Sequence, residues 1–172
     1  MNLKSFLVKI SNIFNFINII AGYICGILVI LMTLNVFFVV LLRYVFGISF
    51  IWMQETYVWM HAFVFMLGAG YTYLMNEHVR IDIVYRESSK KYKKIIDLVG
   101  NLILLIPFLY IIFFYIFPFV LKSFQMNEIS REAGGLSMLF LLKSSILIFV
   151  FLMFIQVISK IITDLIGIDN DT

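Results

Sequence analysis

The sequence predicts an all-α integral membrane protein with four transmembrane helices, and three observations carry that expectation. Hydrophobic residues make up 63% of the chain and charged residues 13%, with a mean hydropathy of +1.04; soluble domains are about half apolar and a quarter charged. Four apolar blocks recur, each of roughly twenty or more residues. At about 1.5 Å per residue such a block crosses a hydrocarbon core about 30 Å thick. The breaks between blocks are short and hold most of the charges. Once four spans are taken from 172 residues, too little is left for an ATPase module or a soluble ligand-capturing lobe. Such a domain is expected on another chain.

The N-terminal segment places Leu3, Phe6, Leu7, Ile10, Phe14 and Ile17 at helical spacing, with Lys4, Lys9, Asn12 and Asn15 elsewhere on the wheel. It reads equally as an amphipathic helix lying in the cytoplasmic interface and as a helical lead-in to the first span. Two lysines ahead of an apolar run resemble a secretory signal, but the run is too long and no small-residue cleavage site closes it. The first span, about 18–42, holds no charged side chain. It carries a Gly22-to-Gly26 step and the lone Cys25, which excludes an intrachain disulfide or a cysteine zinc cluster.

The second span, about 50–75, is interrupted by Glu55 and His61 and thinned at Gly68, Ala69 and Gly70. The third, about 98–121, is nearly featureless in polarity, with Asn101 its main polar group; Pro107 sits inside it and removes one helix hydrogen bond. The fourth, about 136–158, contains Lys143. A central Leu, Ile, Phe or Val contributes roughly −0.3 to −0.6 kcal/mol and a charge roughly +2.5 to +3.5. Each block therefore keeps a favourable insertion balance with one charge inside.

Orientation follows from the placement of Lys and Arg, because cytoplasmic loops carry their excess. With the N-terminus inside, Lys4, Lys9, Arg80, Arg86, Lys90, Lys91, Lys93, Lys94 and Lys160 are cytoplasmic; only Arg43, Lys122 and Arg131 are outside, and Lys143 is embedded. Both termini are thus expected in the cytoplasm. The net charge of +3 does not point to nucleic acid, since the aromatic residues lie inside the apolar blocks instead of interleaving with the basic ones.

Ionisable groups within a span face another helix, water or a partner, or else reach the interface. Glu55 has three such readings: an interfacial carboxylate beside Trp52 and Trp59, a pair with Arg43 across the short outer connection, or a pair with a basic group on a partner chain. Lys143 lies about seven residues inside its span. It can snorkel outward or pair with Glu128, Glu132 or a partner carboxylate. As a coupling-ion contact it fits poorly, because an ammonium repels sodium and no ring of carboxylates accompanies it. His61 and His78, if on one helix, stand about 25 Å apart and cannot share one haem iron. Mid-membrane substrate sites are commonly built from repeated, interrupted helices, and this sequence shows none, which argues against transport by this chain alone.

From Arg43 to Asp82 the residues form a pattern. Arg43-Tyr44-Val45-Phe46-Gly47 closes the first span, Trp52 and Glu55 follow, then Gly68-Ala69, and then His78-Val79-Arg80-Ile81-Asp82. In order, spacing and topological place these resemble the small, DctQ-like membrane subunit of the tripartite ATP-independent periplasmic transporters. Gln54 departs from the pattern, since many relatives carry two acidic residues after the tryptophan; a mechanism needing paired carboxylates there is in doubt.

The resemblance implies a division of labour. A soluble periplasmic protein captures an organic acid, a large membrane subunit carries it by sodium-driven alternating access in the bacterial inner membrane, and the small subunit scaffolds the large one. It implies partners in the large membrane subunit, the binding protein and the bilayer, with sodium on the large subunit and no cofactor, metal or catalytic group here. Arg43, Trp52, Glu55, Gly68, Ala69, His78, Arg80, Asp82 and Lys143 are the candidate interface or structural polar residues. The alternatives are a haem- or quinone-binding anchor of an oxidoreductase and a self-sufficient small exporter or channel.

Overall fold

The computed structural model describes residues 3–78 and 89–170. Among them five helices build the fold: α1 (Leu3–Val45), α2 (Ile51–Leu74), α3 (Lys90–Gly100), α4 (Ile106–Gln125) and α5 (Leu139–Asn170), with a π-helical turn, Asn101–Leu105, joining α3 to α4. That turn has a local cause. Pro107 sits at the start of α4, and its ring crowds the carbonyl four residues back. In the wider turn the Ile106 N–H bonds Asn101 O, and the helix continues through the proline.

Helix ends are equally local in origin. Asn76 and Asn127 adopt left-handed conformations, φ 61° and 45°, just past α2 and α4. The next amide in each case reaches back, Glu77 N to Thr72 O and Glu128 N to Ser123 O, both 3.1 Å. This closure satisfies carbonyls that a helix end leaves open. Gly47, at φ 68°, turns the chain from α1 into α2.

Among the described residues three helical stretches are long and apolar enough to cross a membrane: Lys4–Val45, Tyr92–Gln125 and Leu139–Ile166. The expectation of four is corrected at α2. Its 24 residues suffice in length, but Gln54, Glu55 and His61, together with its glycines and hydroxylated aromatics, leave it less apolar than the others. The interfacial N-terminal helix is corrected as well. No residue between Ile10 and Ala21 breaks the helix, and α1 runs unbroken from Leu3, so the segment is a lead-in.

Antiparallel packing follows from the contacts. α1 meets α2 with Asn18 at Gly70, Gly22 at Tyr71 and Cys25 at Val64, and meets α5 with Ser11 at Ser159 and Asn18 at Gln156. α4 runs against α5, its Phe124 ring 5.0 Å from that of Phe140. Among the described residues α5 is the hub, packed on α1, α2, α3 and α4. One core joins Leu109 to Val150, Met153 and Val157 with Ala69 and Tyr73 against it, and a second joins Ala21 to Leu152 and Ile155. No residue of α1 beyond Ala21 is buried.

Candidate functional site

The polar residues of this apolar chain gather at two levels. At the end called outer after the orientation expected from sequence, α4 and α5 are joined by residues 126–138, a connection bent through left-handed Asn127, Gly134 and Met138. Ser130 N donates to Leu136 O at 3.0 Å, and Leu139 N to Glu128 O at 2.9 Å. This closed loop is strapped to α2 by Glu55, which accepts from the Ser130 hydroxyl and, at 2.5 Å, from the Leu136 N–H. A methyl group on Gly135 would lie 2.8 Å from Glu55 Oε1 and 2.6 Å from Ser130 Oγ, so a side chain there would displace the carboxylate.

Beside the strap, Lys143 donates to Glu128 at 2.5 Å, Ser123 donates to the same carboxylate oxygen at 2.6 Å, and the ammonium lies 4.0 Å from the centre of the Phe119 ring. The Lys143 and Ser123 hydrogen bonds hold the Glu128 carboxyl below its ordinary value. Lys143 thus both reaches outward and pairs with Glu128.

The inner level is a ladder of neutral groups between α1 and α5. Ser11, Asn15 and Asn18 share one face of α1, and Gln156 and Ser159 share one face of α5. Ser159 donates to Asn15 Oδ1 at 2.7 Å, leaving its oxygen to accept from Ser11 at 2.7 Å. Gln156 Nε2 donates to Asn15 Oδ1 at 3.0 Å, and Asn18 Nδ2 to Gln156 Oε1 at 2.9 Å. Asn18 is fully buried where three helices converge. A methyl on Gly70 would stand 2.1 Å from Asn18 Oδ1 and 3.3 Å from the Leu152 backbone. Nearby, Tyr73 donates to buried Asn101 at 2.6 Å, and Lys160 links Asp97 of α3 (3.8 Å) to Asp164 of α5 (3.1 Å).

Of the residues expected to matter, Glu55 and Lys143 anchor the outer connection. The Glu55 pair with Arg43 does not form: Glu55 is occupied by the loop, while Arg43 is exposed in the last turn of α1. Trp52 is half exposed beside Phe50. Gly68 faces Cys25 Sγ, 3.7 Å from where a Cβ would lie. Ala69 packs on the Leu109 core, and its carbonyl accepts from His78 Nε2 at 3.2 Å. Arg80 and Asp82 lie outside the described residues. Gly70 and Asn101 were noted in the sequence, but the Ser11-to-Ser159 ladder and the Tyr73–Asn101 bond were not. Their signal was polar residues at helical spacing on two distant blocks.

What this arrangement does chemically is hold helices together. Among the described residues no three His, Cys, Asp or Glu side chains form a metal-binding group, and Glu55 and Glu128 are engaged by donors of their own chain. Residues 32–167 match the model of a family described as tripartite ATP-independent periplasmic transporters, DctQ component.

The chain belongs to that family. It is a membrane protein and, as a DctQ component, the small permease part of a tripartite transporter. No curated protein and no solved structure matches it. The family match begins beyond Ala21, so it covers the outer strap whole and only the α5 side of the inner ladder.

Proposed function

We propose that this DctQ component is a scaffold: it holds the large transport subunit in the bacterial inner membrane for sodium-coupled uptake of an organic acid, a carboxylate or sugar acid, delivered by a periplasmic binding protein. Sodium and substrate bind on the partners. The observation that carries this reading is how the chain uses its polar side chains. Glu55 and Lys143 pin the outer connection, and Asn15, Asn18 and Gln156 knit α1 to α5, so these groups are spent on internal bonds instead of lining a conduction path.

In this reading α2, antiparallel to α1, also crosses the membrane, sheltered by its neighbours, and both termini are cytoplasmic, as the Lys and Arg placement favours. The strapped loop 126–138 is then periplasmic, where a binding protein docks. Arg43, Trp52, Gly68 and Ala69 serve packing against the large subunit, and Arg80 and Asp82 fix the cytoplasmic end of α2.

The test is a tagged copy of the chain purified from membranes that also contain the large subunit. The large subunit is expected to co-purify. Uptake of a labelled organic acid is expected only with the binding protein, the large subunit, this chain and sodium all present. Uptake undiminished without this chain, or solute movement by this chain alone in liposomes, would overturn the reading.

A further inference from the structure

Within this layer of helices, α2 differs from its neighbours in what its free face presents. α1 and α4 show apolar surface suited to lipid, such as Ile27, Ile30 and Phe37 on α1 and Phe108, Ile111 and Phe114 on α4. The free face of α2 follows Val58, His61 and Phe65, residues three and four apart and therefore on one side of the helix. Val58 is 52% and Phe65 72% exposed, and His61 between them is exposed with its ring 6.5 Å from that of Phe65. Among the described residues neither imidazole nitrogen has a hydrogen-bond partner. His61 lies about 9 Å along the helix from Glu55, flanked by two helices apolar enough to span. An imidazole facing hydrocarbon there would be left unsatisfied, and membrane helices turn such groups toward protein or water.

A second observation falls on the same face. An open cleft of about 470 Å³ between α1 and α2 is lined by Gly22, Cys25, Val64, Phe65, Gly68 and Thr72, among others. Gly68 continues the Val58–His61–Phe65 stripe. Gly22 and Gly70 are glycines because this chain's own atoms fill the space beside them, Tyr71 at 2.6 Å and Asn18 at 2.1 Å from a built Cβ. At Gly68 the nearest atom is Cys25 Sγ at 3.7 Å, an ordinary contact. Nothing in this chain requires the missing side chain at Gly68, whereas a close-packing helix from outside would.

We infer that the α2 face formed by Val58, His61 and Phe65, with the cleft at Gly68, receives a helix of the large membrane subunit. A carbonyl, hydroxyl or carboxylate of that helix meets His61, and a bulky apolar side chain seats over Gly68. The inference rests on the reading of the chain as a scaffold subunit and adds which face does the work. It also accounts for the low apolarity of α2: buried between α1 and α5 on its flanks and the partner in front, the helix never faces lipid.

The test uses the chain co-expressed with the large subunit. A photo-reactive benzoylphenylalanine at Val58 or Phe65 is expected to yield adducts with the large subunit at least tenfold more than one at Phe114 of α4. Gly68→Leu is expected to lower co-purification about tenfold. Gly68→Ala, which this chain accommodates, should lower it less, and the thermal melt of the isolated chain should not move in either variant. His61→Leu should reduce recovery of the complex several-fold and His61→Gln restore part of it; a lipid-facing His61 would instead give unchanged or better recovery with leucine. Adducts at Phe114 equal to those at Phe65, or a Gly68→Leu chain that still co-purifies fully, would overturn the inference and leave the scaffold reading standing. Failure of the unmodified chain to bring down the large subunit would remove the scaffold reading itself.

Discussion

The outer and inner ends of this helix layer are held by different physics. At the outer end a charged group on each of two helices reaches across to a loop: Glu55 takes a backbone amide and a serine hydroxyl, and Lys143 takes Glu128. At the inner end the ladder between α1 and α5 is built of neutral groups, the helices touch through Gly70, and Asn18 is sealed among α1, α2 and α5. The outer hold depends on charge and can be loosened by solvent conditions. The ladder depends on shape and on neutral hydrogen bonds, while beside it Lys160 ties Asp97 to Asp164 through charge.

The largest effect is therefore expected inside. Gly70→Leu forces a side chain into space already held by Asn18 Oδ1 and the Leu152 backbone. Overpacking of a filled core commonly destabilises by about 1–3 kcal/mol and sometimes more, and here it also breaks the Asn18 bonds. The variant should lose its cooperative melt in detergent or melt far below the unmodified chain. Gly26→Leu, at a glycine with nothing within 4 Å, should melt unchanged. Equal melts for the two variants would mean that the inner contact is not the close one.

Next in size is the outer strap. Glu55→Leu leaves the Leu136 amide and the Ser130 hydroxyl without their acceptor; a fully buried unsatisfied polar group costs about 1–3 kcal/mol, and these half-buried groups, within reach of water, should cost less. The effect should be local. Trypsin should cut at exposed Arg131 several-fold faster while the melt of the helices shifts less than in Gly70→Leu. Gly135→Ala, whose methyl would meet Glu55 and Ser130, should give the same protease phenotype. If cleavage at Arg131 does not change, the strap does not order the loop.

The two regions were also unequally legible in the sequence. Long uncharged blocks announced helices, and Lys143 inside such a block needed a partner, so Glu128 was already among its candidates. The partner of Glu55 was not readable, because a backbone amide eighty-one residues away leaves no mark in side-chain identity. Arg43, the nearer opposite charge and one of three readings, does not pair with Glu55. The inner ladder was obscured for another reason: a single Ser, Asn or Gln scarcely lowers the hydropathy of a twenty-residue block, so Gln156 and Ser159 passed as part of an apolar span. The inverse error befell α2, where block length was read as spanning capacity although Gln54, Glu55 and His61 lie within three turns.

A smaller effect should separate the two ends by pH. The folded state holds the Glu128 carboxyl below its ordinary value of 4.5 through Lys143 and Ser123. A depressed carboxylate contributes stability that is fully present above its unfolded value and is lost as pH falls through the folded one. The outer loop should thus stay closed at neutral pH and loosen only below about pH 4.5, as read by hydrogen exchange of the Ser130 and Leu139 amides. Glu128→Gln should remove that pH dependence, and the Ser11-to-Ser159 ladder, having no ionisable member, should show none. Loosening of both ends together would mean that the acid effect lies elsewhere.

The smallest effect belongs to single rungs of the ladder. Interhelical hydrogen bonds between neutral side chains in membrane proteins average about 0.6 kcal/mol, because an unfolded chain in the bilayer also finds partners. Ser11→Ala removes one donor to Ser159, which retains its bond to Asn15 Oδ1, and should lower stability by no more than that amount. Ser159→Ala deprives Ser11 and Asn15 of a shared partner and should cost more than Ser11→Ala. The double substitution should fall short of the sum, since the Ser11–Ser159 bond is then counted once. Strict additivity in a detergent melt would show that the two serines act independently and that the hold at this end comes from packing at Gly70 and Asn18.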